Sequence, residues 1–366
     1  MNSISTTDNH LSSNNFALII GLMFIILLAS IITSIGIGNV DMTLNQIMMA
    51  LFNCHGDYSS NLDGINNSAI KNAAIAVCQE NSINQQIIWE IRLPRILMAL
   101  LTGAGLSVTG AILQSVTRNP LADPYLFGIS SGASLGAVCV MATISSASIS
   151  ITLGALIGSF FSVVLMLTLA GRAAVQVEKL LLAGVAVSFM LSAFTSLVLY
   201  YSDPDTVTSL LFWMMGSFSN SQWDELWMPT VTLTVGVALF FVYRRWLSAI
   251  QAGDESALTL GIPVNQLRLF MLIICAAITA VLVAHVGGIG FVGLMIPHIS
   301  RFIVGVQIHR LLFMTLVLGA SFMIWVDVIA RTLLPNQVLP VGIVTSAVGS
   351  LFFFIILKYR SNSIES

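Results

Sequence analysis

Apolar residues fall along this chain in long uncharged blocks, not in the one-sided stripe of an amphipathic helix. Blocks of that kind predict helices that are apolar all round. About 20 mostly apolar residues cover the hydrocarbon core of a bilayer, because every backbone N–H and C=O must be bonded inside the segment. Ten blocks are expected to cross, at 16–38, 96–117, 125–145, 151–171, 180–201, 226–243, 269–286, 288–304, 311–330 and 340–357. Two divisions rest on local signals. Tyr125 to Gly171 carries no formal charge over 47 residues, about twice one crossing, and the polar patch Ser145-Ser146-Ala147-Ser148 splits it. Leu269 to Ser300 is interrupted only by His285, so the cluster Gly287-Gly288-Ile289-Gly290 holds the turn.

The polar connectors set orientation, because lysine and arginine accumulate in short cytoplasmic loops. With the N-terminus inside, ten cations lie inside (Arg118, Arg172, Lys179, Arg244, Arg245, Arg268, Arg301, Arg310, Lys358, Arg360) and four outside (Lys71, Arg92, Arg95, Arg331). Both termini are therefore expected on the cytoplasmic side. The outer loop 39–90 is rich in Asn and Ser and holds Cys54 and Cys78. In an oxidising compartment these are a candidate disulfide, on the order of 3 kcal/mol in the chain-entropy model; two unpaired thiols is the other reading. A second outer segment, Tyr201 to Glu225, contains LLFWMMGSF, too short to cross. It reads as a short helix at the outer interface, with Trp213, Trp223 and Trp227 suited to the headgroup boundary.

Composition agrees with the pattern. Mean hydropathy is +0.93, with 57% hydrophobic and 8% charged residues, where about 25% charge is usual in soluble domains. The fold class is an all-α polytopic membrane protein, a single transmembrane domain over 1–366. A net charge of -2 and no basic run longer than Arg244-Arg245 exclude nucleic acid as a partner. The run from Phe16 to Gly38 has no small-residue cleavage site and reads as a retained first span rather than a secretory signal.

Candidate chemistry is thin within the spans. No histidine pair stands at metal-ligand spacing beside a carboxylate, so no metal site and no cofactor is expected. Ser130-Ser131-Gly132 lacks the acid and histidine of a hydrolase, and no catalytic residue is assigned. His298, after Pro297, reads more readily as a helix packer than as a proton-handling group. Cys139 and Cys275 read as packing residues. Asp327 is the acidic residue placed well inside an expected span, and Arg331 follows at i+4, the spacing of an intrahelical pair.

The loops carry more. Arg92 and Arg95 are three apart, hence on one helical face, and lie outside against the positive-inside bias. They are either headgroup anchors or guanidinium forks for carboxylates of a soluble partner. Inside, the region 247–263, LSAIQAGDESALTLGIP, predicts a short amphipathic helix. Asp254 and Glu255 suit its start, and Gly261 with Pro263 its end. It is either a solvated connector or a lever for another protein.

RLPR at 92–95, GAILQSVTRNPLADPYLFGISSGASLGA at 110–137, KLLLAGVA at 179–186, FWMMGSF at 212–218, GDESALTLGI at 253–262, GIGFVGLMIPHISR at 288–301, DVIAR at 327–331 and LPVGIVTSAVGSLFFFIIL at 339–357 follow one another in order. Together they resemble the FecCD-type permeases, membrane subunits of ATP-binding-cassette importers for iron–siderophore, haem and vitamin B12. The resemblance covers the chain from Trp89 onward.

It implies the permease fold of a type II ABC importer in the bacterial inner membrane. The implied assembly is two permease subunits, expected here as a homodimer in lipid, two cytoplasmic ATPase subunits and a periplasmic substrate-binding protein. The permease itself is not an enzyme. Arg92, Arg95 and Arg331 match the arginines that meet acidic residues of the binding protein. Gly253, Asp254, Glu255, Ser256, Ala257, Leu260 and Gly261 match the cytoplasmic helix that fits a groove in the ATPase. Asn119 and Leu121 match a loop that closes the pathway to the cytoplasm. Two departures stand out: the loop Ala173 to Glu178, where no gate residue is assigned, and the long segment 39–90. The expected cargo is an iron–siderophore. Vitamin B12, haem or a metal oxyanion is the alternative within the family, and an ion-coupled secondary transporter the alternative outside it.

Overall fold

The computed structural model describes residues 13–38, 42–43, 47–48, 83–143, 148–171, 177–335 and 337–362, and every element in them is a helix or helical turn. In chain order the helices are α1 (Ser13–Gly36), α2 (Leu93–Thr117), α3 (Ile129–Thr143), α4 (Ser148–Ala170), α5 (Val177–Tyr200), α6 (Pro204–Met214) and α7 (Trp227–Val242). There follow α8 (Arg244–Ala252), α9 (Asp254–Thr259), α10 (Val264–Val286), α11 (Val292–Val304), α12 (Ile308–Thr332) and α13 (Val341–Asn362). Each expected block coincides with a helix. Among the described residues eight helices are long and apolar enough to cross a membrane: α1, α2, α4, α5, α7, α10, α12 and α13. The blocks at 125–145 and 288–304 give the shorter apolar helices Ile129–Ala142 and Val292–Val304.

The reason α3 and α11 are short lies in what precedes them. Asp123 accepts from Tyr125 N at 2.8 Å and starts a one-turn helix, Pro124–Phe127, which Gly128 closes in the left-handed region at φ 72°. Before α11, Gly287 (φ 76°) and Phe291 (φ 69°) break the chain. These two breaks in the α-helical path meet, with Ile289 N donating to the Tyr125 hydroxyl at 2.8 Å. Both lie beside the middle of α2: a Cβ on Gly293 would stand 3.1 Å from Leu106 O and 3.1 Å from Pro124 Cδ. Irregular backbone is tolerated at such depth where protein, not lipid, surrounds it.

α2 is the axis of the bundle. Its membrane-crossing window is 83% buried, against 11% for α1 and 22% for α13. It packs on α12, α10 and α11, while α3, α4 and α5 form a neighbouring group. Lipid tails are as apolar as leucine, so membrane helices associate by close approach rather than by hydrophobic transfer. Gly103 supplies that approach on α2: a Cβ there would fall 2.1 Å from Gly319 O on α12. Gly136 does the same between α3 and α4, where a Cβ would lie 1.9 Å from Gly154 O. At 1.5 Å per residue the 25 residues of α2 reach ~37 Å, enough to join one membrane face to the other.

Candidate functional site

Two polar clusters stand at the two ends of α2. At the outer end a helical turn from Ile87 to Arg92 runs straight into α2, so Arg92 and Arg95 sit inside a continuous helix from Ile83 rather than at its threshold. Both are buried, at 5% and 8% exposure, and Arg331 at the end of α12 is 6% exposed. This corrects the expectation of solvent-facing forks. For Arg95 and Arg331 the reason is Asp327, whose side chain is 1% exposed and draws their guanidinium groups inward. Arg95 Nε donates to Asp327 Oδ1 at 2.8 Å, with Nη2 at 2.7 Å from the same oxygen. Arg331 Nε stands 3.2 Å from Oδ2 at the expected i,i+4 spacing, an ion pair without hydrogen-bond alignment. Arg331 Nη2 also donates to Ser34 O at 3.0 Å and Ser34 Oγ at 2.7 Å. Arg92 Nη1 donates to Ile35 O and, at 3.3 Å, to Gly36 O. The last carbonyls of a helix have no partner within it; here two arginines supply the end of α1. The cluster thereby ties α1, α2 and α12 together, with Arg95 and Arg331 both on the buried Asp327 carboxylate.

At the inner end, α2 stops at Arg118, which takes the left-handed conformation (φ 51°, ψ 30°). Asn119 Oδ1 accepts from Leu121 N at 2.9 Å, and Asn119 O from Ala122 N at 3.1 Å. This compact turn presents Leu121 with 62% exposure. Beyond it Asp123 is buried, and its Oδ1 accepts from Tyr125 N at 2.8 Å.

The region 247–263 is two helices, not the single one expected. Gly253, at φ 132° and ψ 148°, separates α8 from α9, a conformation that glycine alone adopts freely. Asp254 and Glu255 do open α9, and Gly261 (φ 75°) follows its end. Ala257 is buried and anchors the segment, while Glu255, Ser256 and Gly261 are exposed, with Leu258 at 59% and Leu260 at 71%. Asp254 turns back to the bundle instead. Its Oδ1 lies 3.0 Å from Arg268 Nη2 and 3.1 Å from Arg118 Nη2, and its Oδ2 3.1 Å from Arg268 Nη2. Arg268 Nε donates to Val116 O at 3.2 Å, and Gln251 Nε2 to Ser115 Oγ at 3.0 Å. Arg118, Arg268 and Gln251 were missed because partners 136 and 152 residues apart leave no local spacing signal.

Other expectations resolve separately. His298 packs edge-on against Phe302 (5.1 Å between centroids) and Phe352 (5.9 Å), as a helix packer. Cys275 is buried, with Sγ 3.8 Å from Thr109 O, whereas Cys139 is exposed on α3. The short helix expected within 201–225 is α6, capped by Asp203, which accepts from Thr206 N at 3.0 Å and Thr206 Oγ1 at 2.7 Å. Trp223 and Trp227 beyond it are exposed. Cys54, Cys78 and residues 172–176 of the loop between α4 and α5 lie outside the described residues.

Residues 25–359 match the FecCD transport family. The chain belongs to it. An iron chelatin transport permease of Helicobacter pylori strain 26695 is 36% identical over 74% of this chain and 82% of its own. The vitamin B12 import permease of Klebsiella pneumoniae is 36% identical over 75% and 84%. The hemin transport permease of Yersinia pestis is 37% identical over 75% and 84%. A solved structure described as an inward-facing metal-chelate type ABC transporter superposes with a TM-score of 0.79 at 28% identity, covering 94% of this chain and 99% of that one. This FecCD chain is therefore a membrane permease subunit of an ABC transporter, a multi-pass protein of the bacterial inner membrane, and not itself catalytic. Both polar clusters lie within the matched residues.

Proposed function

We propose that this permease moves a chelated metal, an iron–siderophore, into the cell by alternating access, driven by ATP hydrolysed on partner subunits. The observation that carries this reading is the inner segment α9. It exposes Leu258 and Leu260 to the cytoplasm on an anchored Ala257, while its Asp254 grips the end of α2. An exposed apolar tip on a rigidly held short helix suits a groove on another protein. In this reading the residues from Gly253 to Gly261 dock on an ATPase, and Asn119 and Leu121 close the cytoplasmic mouth. The cargo assignment rests on the iron chelatin relative and the metal-chelate neighbour, with haem and vitamin B12 the cargo of others.

In the assembled importer two copies of this chain enclose the pathway, two ATPases sit below and a binding protein above. Ten segments cross the membrane, α3 and α11 each completing its crossing with the turn before it. At 15 and 13 residues these helices span only ~22 and ~20 Å alone. The outer arginines contribute to docking as a field rather than as free forks: Arg95 and Arg331 share the single Asp327 carboxylate, and their positive charge steers acidic groups of the binding protein.

The test is reconstitution of the permease in proteoliposomes with its ATPase and binding protein, loaded with a ferric siderophore chelate. Uptake should require ATP and persist without any ion gradient; uptake by the permease alone on a gradient would overturn the reading. Leu260→Asp should abolish co-purification of the ATPase. Binding-protein association should slow steeply as salt rises from ~0.05 to ~0.5 M.

A further inference from the structure

The Asp254 carboxylate joins three elements: α9 through its own backbone, the start of α10 through Arg268, and the end of α2 through Arg118. The two arms differ in burial. The Arg268 side chain is 7% exposed, and its second bond, to Val116 O, fixes it against α2. The Arg118 side chain is 46% exposed and Asp254 35%, so that arm opens to water.

An exposed ion pair adds little to stability, yet the sequence keeps an arginine where the backbone is left-handed at φ 51°, a conformation that disfavours every residue with a Cβ. Glycine or asparagine is the usual choice at such a helix end. The side chain must therefore contribute something the backbone does not need. Its position says what: Arg118 is the last residue before the turn on which Asn119 presents Leu121.

We propose that Arg118 is a positioning residue that couples α9 to the Leu121 loop, with Arg268–Asp254 as the fixed pivot and Arg118–Asp254 as the arm that transmits movement. When the ATPase displaces α9, Asp254 carries Arg118 with it, and the turn bearing Leu121 follows. This rests on α9 as the ATPase docking segment, and the experiment separates the two claims.

The importer is assembled with its ATPase from a permease whose native cysteines are serine and which carries Leu121→Cys. The rate of modification of that cysteine by a membrane-impermeant maleimide is measured without nucleotide and with ATP plus vanadate. The readout needs no knowledge of the cargo. In the parent chain nucleotide should change the rate more than about fivefold, the lower end of usual coupling between sites. Arg118→Gly, which suits the left-handed turn and removes the cation, should reduce the response to less than about twofold while the ATPase still co-purifies. Asp254→Asn should behave alike, and Arg118→Lys should restore the response. A full response in Arg118→Gly, or none in the parent chain, overturns the coupling role of Arg118. Unchanged ATPase binding in Leu260→Asp would instead overturn the docking role of α9.

Discussion

Replacing Asp327 with Asn tests whether the outer cluster holds the bundle together. Asn keeps the shape of the side chain and one carbonyl oxygen toward Arg95 Nε, now 2.8 Å from Oδ1, but removes the charge shared by Arg95 and Arg331. Were the loss that of a single hydrogen bond, the effect would be about 1 kcal/mol. Burial decides otherwise. The side chains of Arg95, Arg331 and Asp327 are 10%, 6% and 1% exposed, so two guanidinium groups are left without water or counter-charge. Breaking a buried pair from one side destabilises by roughly 3–5 kcal/mol, about a hundredfold or more in the folding equilibrium at 1.4 kcal/mol per decade. The assay is reversible unfolding by dodecyl sulfate in mixed micelles, followed by tryptophan fluorescence. Adding Arg95→Met removes one orphaned cation and should recover ~1–2 kcal/mol. If Asp327→Asn lies within ~0.5 kcal/mol of the parent, the range of an ordinary surface substitution, the cluster is not a clasp and the argument from burial fails.

Gly103→Ala should push α2 from α12, since its Cβ would fall 2.1 Å from Gly319 O. The expected loss is ~1–3 kcal/mol in the same micellar unfolding assay. Gly21→Ala, with nothing within 4 Å of its Cβ, is the control and should be neutral or slightly stabilising.

Periodicity and turn chemistry were enough to place the helices, because an uncharged block of 20 residues has few alternatives in a membrane. The Asp327–Arg331 pair was equally legible, since i,i+4 neighbours meet on any helix. What sequence spacing did not carry was tertiary. Asp327 also meets Arg95, 232 positions away, and Arg92 meets the Ile35 and Gly36 carbonyls, contacts that turn two outward arginines into buried ones. Likewise the run Leu247 to Pro263 reads as one amphipathic helix. Only the φ of 132° at Gly253 reveals the break that lets Asp254 turn toward Arg118 and Arg268. Lengths were misjudged at α3 and α11 for a related reason. An apolar block does not distinguish helix from an irregular turn that other helices bury.

The middle of α2 bears on where motion at its inner end is able to begin. Backbone contacts at Gly103 with Gly319 and at Gly110 with Gly293 O, where a Cβ would fall 2.0 Å away, fix α2 to α12 and α11 at two levels. Gln114 Nε2 adds a bond to Gly293 O at 3.0 Å. Packed interfaces of this kind have discrete arrangements and do not bend gradually. A displacement arriving from α9 therefore cannot be absorbed along α2. It passes either to the whole group of α2, α11 and α12 as a body, or to the residues beyond Thr117 where those contacts end. The second route starts at Arg118, the residue that Asp254 holds by an exposed and breakable pair. The buried Ala122 and Asp123 then bound the moving stretch on its far side, leaving Asn119 to Leu121 as the part of the loop free to respond.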